Sequence, residues 1–230
     1  MKINKKLVST GLGNHPSQQM EQIDSITIHT TGNRNPGATA EAHARLQARG
    51  NDGRTASWHY TVDENEIWQS FKDNQICWHT GTRRGNETSI GIEICVNSKS
   101  GFTNACENAA WLASSLLKKH GIEDVVQHRN WSGKNCPAEL ISGEWGVSWE
   151  NFLDMLRLYK GNENEIIHAM RDARVQFDSR HWQKVFDGTV RPNQDWTRVL
   201  AGRIIDNRWG DIDADVIQEA FRVLLGTKRV

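Results

Sequence analysis

The pattern of apolar and polar residues predicts five strands in the first two thirds of the chain. Residues 23–30 alternate and are rich in β-branched side chains, so they predict a strand with His29 near its end. Residues 57–62 and 66–70 flank Asp-Glu-Asn and predict a hairpin. Residues 125–127 predict a short strand. Because open α/β sheets carry their sites at the carboxyl ends of strands, His29 lies where a functional residue is expected.

A further strand is predicted at residues 89–96. Its alternation directs Ile90, Ile92 and Ile94 to one face and Glu93 to the other. A carboxylate on a strand usually faces solvent or an ion pair. Opposite an isoleucine face, Glu93 is also a candidate for a rigidly held base.

Helical periodicity is clearest at residues 104–120. Apolar residues recur there at helical spacing, Asn104 and Glu107 predict a capping box, and Gly121 predicts the C-terminal cap. Shorter helices are predicted at residues 37–49 and 148–159.

The pattern changes after Gly161. A polar break precedes segments with helical spacing at 166–177, 182–186, 196–206 and 216–225. We therefore predict two domains, residues 1–160 and a small, mainly helical module at residues 161–230.

Composition excludes several classes of protein. The chain has 230 residues, with 28 Lys+Arg and 28 Asp+Glu, so its formal net charge of zero predicts no nucleic-acid surface. No apolar run approaches the roughly 18 residues of a membrane span, and no secretory signal peptide is evident. The four cysteines match no disulfide or CxxC pattern, which favours free thiols in a reducing cytoplasm.

Residues 128–137 (His-Arg-Asn-Trp-Ser-Gly-Lys-Asn-Cys-Pro) carry the densest chemistry and are predicted to be a loop. Together with His29, the residues His128 and Cys136 could hold a zinc ion and leave its fourth position open, as in catalytic zinc sites. Lys134 could stabilise an oxyanion and Glu93 could serve as a base. Each residue also has a structural interpretation, since a single histidine at a strand end is more often structural and a buried cysteine is usually a small hydrophobe.

Five motifs in order resemble a known family. They are residues 26–31 (Ile-Thr-Ile-His-Thr-Thr), 57–63 (Ser-Trp-His-Tyr-Thr-Val-Asp), 78–81 (Trp-His-Thr-Gly), 86–94 (Asn-Glu-Thr-Ser-Ile-Gly-Ile-Glu-Ile) and 128–137. Over about residues 1–158 the chain resembles the zinc-dependent N-acetylmuramoyl-L-alanine amidases, the group of phage lysozyme-type amidases and peptidoglycan recognition proteins. The endolysins of Gram-positive phages are the most similar. The resemblance implies an α/β fold with a mixed central β-sheet flanked by helices.

The resemblance assigns roles to individual residues. It implies that His29, His128 and Cys136 bind Zn²⁺, that Lys134 stabilises the transition state, and that Glu93 is the catalytic acid/base. Some members use a catalytic tyrosine at the position before the hairpin histidine, where this chain has Trp58.

The departure at Trp58 leaves secondary roles to nearby residues. Tyr60, two positions on, is a weak substitute for the missing tyrosine and is expected to face the same side. Trp58, Tyr60 and His79 are candidates to contact substrate. His79 could equally serve only to pack its loop.

The implied reaction is hydrolysis of the amide between N-acetylmuramic acid and the L-alanine of the stem peptide in bacterial peptidoglycan. The implied location is the host cytoplasm until a holin-type release gives access to the wall. Two alternatives are a non-catalytic peptidoglycan-binding protein and a cytoplasmic amidase that recycles muropeptides.

By analogy with endolysins, residues 161–230 would bind the cell wall. Trp182, Trp196 and Trp209 could stack on sugars or fill a small core. A homo-oligomer formed through this module is a third interpretation.

Overall fold

The computed structural model describes residues 2–160 of the chain. Its strands are β1 (Ile3–Lys5), β2 (Ser25–Thr30), β3 (Tyr60–Val62), β4 (Ile67–Gln69), β5 (Ser89–Ile94) and β6 (Asp124–Gln127). Its helices are α1 (Ala40–Ala48), α2 (Arg83–Thr88), α3 (Phe102–His120), α4 (His128–Ser132), α5 (Ala138–Ser142) and α6 (Trp149–Lys160), with a short 3-10 helix at Asn51–Gly53. Lys2–Phe152 form one compact unit.

The strands form one mixed sheet in the order β1-β4-β3-β5-β2-β6. Strands β3, β5, β2 and β6 run parallel, while β4 pairs antiparallel with β3 and β1 pairs parallel with β4. Helix α3 packs against β2, β3 and β5, and α1 packs against β3 and β4. The predicted mixed sheet with flanking helices is confirmed.

The register of the central strands determines which side chains share a face. His29 of β2 pairs with Glu93 of β5, and Glu93 pairs in turn with Thr61 of β3. Residues directly paired across strands project from the same face. These three side chains therefore form a row on one face near the carboxyl ends of the parallel strands.

The opposite face of the central strands belongs to the apolar core. The isoleucines of β2 and β5 are fully buried: Ile26, Ile28, Ile90, Ile92 and Ile94. Burial of each such side chain contributes about 1.5–3 kcal/mol. The polar face is covered as well, since Thr27 Oγ1 donates a hydrogen bond to Ser89 Oγ at 2.9 Å and every residue of β2 is buried.

Helix α3 confirms the clearest helical pattern, although its predicted N-terminal cap is wrong. The cap residue is Gly101, so Asn104 lies inside the first turn and forms no capping box with Glu107. The C-terminal prediction holds, because Gly121 adopts a positive φ of 64° and its N–H bonds to the carbonyl of Leu117.

The segment 128–137 is not entirely loop, which corrects the sequence prediction. Its first five residues form helix α4, which ends at Gly133 with a φ of 73°. Strand β1 and helices α2 and α5 were also not predicted. All of these elements span six residues or fewer, too short to display a hydrophobic period.

The predicted helices and wall-binding role of residues 161–230 lie outside the described residues. The domain boundary near residue 161 and the oligomer expected from that module therefore stay predictions. Within residues 2–160, no helix combines the length and apolarity needed to cross a bilayer.

Candidate metal centre and active site

Adjacent parallel strands bring the first two proposed metal ligands together. His29 is the fifth residue of β2, and His128 opens α4 directly after β6, the neighbour of β2 in the sheet. Both side chains are buried, and their Nδ1 atoms are 3.0 Å apart. Residues 99 positions apart in sequence thus meet at one edge of the sheet.

The third proposed ligand returns to the site through a backbone hydrogen bond. The N–H of Arg129 donates to the carbonyl of Cys136 at 2.9 Å, which folds the loop back onto the start of α4. Cys136 Sγ then lies 3.7 Å from His29 Nδ1. Ligand atoms of His29, His128 and Cys136 all lie within 4.8 Å of one another.

The surroundings of these groups favour their neutral forms. Burial lowers the pKa of His29 well below its ordinary value, and the neighbouring His79, His128 and Lys134 lower it further. Burial also lowers the pKa of His128. Burial raises the pKa of the Cys136 thiol to about 12. Neutral imidazoles keep a lone pair available for a metal ion.

One hydrogen bond orients His128. Its Nε2 lies 3.0 Å from the carbonyl oxygen of Thr80, which can only accept, so Nε2 carries the proton. The neutral ring then has an unprotonated Nδ1 aimed at His29 and Cys136. This is the way metal-binding histidines are usually oriented.

Glu93 stands beside this cluster on β5. Its Oε1 is 3.9 Å from His29 Nδ1, and among the described residues its buried Oε2 has no hydrogen-bond partner. Burial raises the pKa of Glu93 to about 8, while the charge of Lys134 acts in the opposite direction. A carboxyl group of this kind is suited to exchange protons near neutral pH.

Lys134 lies on the exposed turn between α4 and Cys136. Its charge contributes to lowering the pKa values of His29, Glu93 and His128, so its ammonium group is close enough to act on all three. An exposed cation at the rim of a buried cluster can approach a bound substrate.

Trp58 lies near the same face, whereas Tyr60 does not. The half-buried indole of Trp58 donates from Nε1 to Thr61 Oγ1 at 2.7 Å, and Thr61 is the register partner of Glu93. Tyr60 pairs with Ile92 and therefore projects from the opposite face. Its buried hydroxyl donates to Asp73 and accepts from Gln69. The structure does not bring Tyr60 to this site, which corrects the expectation that it could replace the missing catalytic tyrosine.

His79 lies behind His29 rather than on an open cleft. It is buried, and its Nδ1 is 2.9 Å from His29 Nε2. Its Nε2 is 3.2 Å from the carbonyl oxygen of Ser89. Of the two roles that the sequence left open for His79, these hydrogen bonds favour the structural one over contact with substrate.

Sequence reasoning missed the contributions of Thr61 and Thr80. Thr61 separates Trp58 from Glu93, and the carbonyl of Thr80 orients His128. The motif at residues 78–81 contained Thr80, but a carbonyl that acts through the backbone leaves no mark on residue type.

The residues present fit a metal ion. Two imidazoles and one thiol are the donor set of an open zinc site. Beside them lies a buried carboxylate oxygen, Glu93 Oε2, that has no partner within residues 2–160. These two imidazoles, the thiol and the carboxylate lie at the carboxyl ends of the parallel strands of the sheet. This arrangement places the chain in the class of proteins suited to metal-assisted hydrolysis.

Comparison with known proteins agrees with this class. Residues 19–139 match the profile of the family described as N-acetylmuramoyl-L-alanine amidase. Because this match spans more than half of the 230 residues, the chain belongs to that family. The resemblance inferred from the five motifs is confirmed.

Two curated relatives come from Bacillus subtilis (strain 168). The chain is 41% identical over 154 residues to the N-acetylmuramoyl-L-alanine amidase XlyA, an alignment that covers 65% of this chain and 49% of XlyA. It is 38% identical over 157 residues to the N-acetylmuramoyl-L-alanine amidase CwlH, covering 66% of this chain and 60% of CwlH. The chain thus spans about half of the length of XlyA and somewhat more of CwlH.

The fold agrees with a solved structure of the first relative. The catalytic domain of XlyA superposes with a TM-score of 0.61 at 40% identity, covering 68% of this chain and 99% of that domain. The similarity therefore concerns the unit that contains the His-His-Cys cluster.

Proposed function

We propose that this chain is a zinc-dependent N-acetylmuramoyl-L-alanine amidase that cleaves peptidoglycan between N-acetylmuramic acid and the L-alanine of the stem peptide. The observation that carries the proposal is the cluster of His29, His128 and Cys136 with Glu93 3.9 Å from His29, in a chain of the amidase family. The names of XlyA and CwlH support the choice of bond.

His29, His128 and Cys136 would hold the zinc ion. Zinc in a site with two imidazoles and one thiolate supplies Lewis acidity and lowers the pKa of a bound water. The proximity of the three ligand atoms, which all lie within 4.8 Å of one another, supports this assignment.

Glu93 would be the general base and then the general acid. Its carboxylate takes a proton from the water whose oxygen bonds to the amide carbon, and it passes that proton to the nitrogen as the carbon–nitrogen bond breaks. Its pKa, raised by burial to about 8, supports this role because an acid/base works best near the operating pH. The charge of Lys134 favours the carboxylate form that must accept the first proton, and a cation held by the cluster would act in the same direction.

Lys134 would stabilise the negative charge that develops on the amide oxygen. Its exposure supports this role, because an ammonium group on a turn can reach a substrate that lies over the cluster. Trp58, held at Thr61 beside Glu93, would contact the sugar or the peptide.

The direct test is the bond cleaved by the zinc-loaded full chain on purified Gram-positive cell walls. We expect free amino groups to appear on L-alanine, without new reducing sugar ends, and their release to stop after zinc is removed and resume when it is restored. Binding to walls without release would favour the non-catalytic alternative. Release from soluble muropeptides but not from walls would favour the recycling amidase.

The site of action follows from the substrate. We propose that the chain acts on the bacterial cell wall after a holin-type release from the cytoplasm, with residues 161–230 as the wall anchor. Sedimentation of the fragment 161–230 with purified walls would support the anchor, whereas a fragment that stays in the supernatant would contradict it.

A further inference from the structure

A line of hydrogen bonds runs behind the proposed metal site, from the backbone of β5 through His79 to His29. His79 Nε2 lies 3.2 Å from the carbonyl oxygen of Ser89, and His79 Nδ1 lies 2.9 Å from His29 Nε2. The carbonyl can only accept, so the proton of His79 is on Nε2. A neutral His79 therefore has an unprotonated Nδ1.

That arrangement determines the proton position on His29. An unprotonated Nδ1 on His79 accepts from His29 Nε2–H, which leaves His29 Nδ1 without a proton. His29 Nδ1 then faces His128 Nδ1 at 3.0 Å and Cys136 Sγ at 3.7 Å. Two unprotonated ring nitrogens at this distance repel each other unless a cation lies between them.

The backbone next to His79 fixes the proton position on His128 in the same way. Thr80, the next residue, accepts the Nε2–H of His128 through its carbonyl. The side chain of Asn86 holds both residues, since its Oδ1 accepts from the N–H groups of His79 and Thr80 at 3.0 and 2.9 Å. Together, His79 and Thr80 thus contact the Nε2 atoms of both His29 and His128.

The imidazole of His79 packs against β5 at Gly91, where only a glycine leaves room for it. A Cβ at Gly91 would lie 2.8 Å from His79 Nδ1 and 3.0 Å from its Cε1 and Cγ, so the ring or the strand would have to move. His79 is therefore seated directly on the backbone of β5.

We propose that His79 is a positioning residue that fixes His29 in the tautomer whose Nδ1 binds the metal ion. The inference rests on the proposed function for the identity of the metal ligands. It gives His79 a role through His29 and none in substrate contact.

The test compares zinc affinity and amidase kinetics in full-length His79→Leu, His79→Asn and His79→Gln. Outer hydrogen-bond partners of metal ligands typically change affinity by roughly 10- to 100-fold, so we expect a loss of that size in His79→Leu. In His79→Asn the amide oxygen replaces Nδ1 as acceptor, and we expect affinity close to that of the original chain. In His79→Gln the amide group replaces Nε2 instead, and we expect no rescue.

Competition with a chromophoric chelator measures zinc affinity, and the absorption of the Co²⁺-substituted protein reports the ligand geometry. Gly91→Ala provides a second variant that retains the imidazole but displaces it, and it should also weaken zinc binding. His15→Asn is the matched control, because the contacts of that buried histidine are with Ser17, Gln75 and Phe71. Thermal unfolding of each variant monitors folding.

The outcomes separate this inference from the proposed function. If the original chain binds zinc and cleaves walls, and folded His79→Leu does both equally well, His79 has no positioning role while the amidase proposal stands. A raised KM with unchanged zinc affinity would restore the substrate-contact interpretation and overturn the inference. If the original chain binds no zinc, both proposals are wrong.

Discussion

Two clusters of polar residues lie on opposite faces of the sheet, and the hydrogen bonds of their carboxyl groups differ in one respect. The Asp73 cluster (Tyr60, Gln69, Asp73, Lys119 and His120) has a carboxylate with both oxygens bonded. Oδ1 accepts from Tyr60 and Gln69, and Oδ2 accepts from Lys119 and His120 at 2.7 and 2.9 Å.

The cluster at the proposed metal site (His29, Glu93, His128 and Cys136) is incomplete by comparison. Glu93 Oε2 is buried and has no partner among the described residues. Burial would raise the pKa of both carboxyl groups, but hydrogen bonds from Lys119, Tyr60 and His120 outweigh it at Asp73, whose pKa is lowered. At Glu93 burial prevails and the pKa is about 8.

This difference in hydrogen bonding distinguishes a cluster that stabilises the fold from one suited to bind a ligand. Buried polar groups in native proteins are normally satisfied, so a complete cluster stabilises the fold and an incomplete one points to a ligand. Consecutive residues of β3 face the two clusters: Tyr60 donates to Asp73, and Thr61 is the register partner of Glu93.

The largest effect should come from Glu93→Gln. Loss of the acid/base group should reduce amide cleavage by roughly 10²- to 10⁴-fold. Stability should not fall, because among the described residues the buried Oε2 of Glu93 has no hydrogen-bond partner to lose. Release of amino groups from walls at saturating zinc measures the rate, and urea unfolding measures stability. A full rate with zinc bound would end the assignment of Glu93.

Replacement of Lys134 by Met should have the next largest effect. Loss of one group that stabilises the oxyanion should lower kcat on the order of 10²-fold. Zinc content should be unchanged, because Lys134 is not a ligand. Lys118→Met, an exposed lysine on α3, is the matched control. A rise in KM alone would mean that Lys134 binds substrate without favouring the transition state.

Asp73→Asn should show the reverse pattern, with lower stability and an unchanged rate per folded molecule. Hydrogen bonds to a charged group contribute about 1.5–3 kcal/mol each, so we expect a loss of about 2–3 kcal/mol in the free energy of unfolding. Urea unfolding measures this loss, with the exposed Asp124→Asn as control. If Asp73→Asn lost activity at full stability, the division between the two clusters would be wrong.

The smallest effect concerns acid pH. The pKa of Asp73 is depressed in the folded protein, so its contribution is present above the unfolded carboxyl pKa of about 4. It is lost as pH falls through the lower folded value. The difference in stability between the original chain and Asp73→Asn should therefore shrink below about pH 4. A difference that stayed constant into strong acid would contradict the lowered pKa.

Long elements could be predicted from the sequence because they carry regular patterns, and the members of the His-His-Cys cluster could be named from their motifs. Strands β2 and β5 and helix α3 carry enough alternating or helical positions to identify them. His29, Glu93, His128 and Cys136 were found because strand ends and a familiar motif order point to them.

The face of the sheet on which Tyr60 lies and the contacts of the loop residue His79 could not be predicted in the same way. Tyr60 was expected on the side of Trp58, but Trp58 precedes β3, where the alternation of a strand does not apply. His79 lies between strands, and its contact with His29 depends on Asn86 and Gly91, which no periodicity connects to it. Helix α4 has five residues, too few to display a hydrophobic period.

The most direct test of the central claim is the zinc content of the full chain and of Cys136→Ala, with Cys95→Ala as the matched control. Both cysteines are buried free thiols, but only Cys136 belongs to the His-His-Cys cluster. Metal analysis after equilibrium dialysis should give one zinc per molecule for the original chain and Cys95→Ala, and a large loss for Cys136→Ala. Equal zinc in all three proteins, or none in any, would contradict the account.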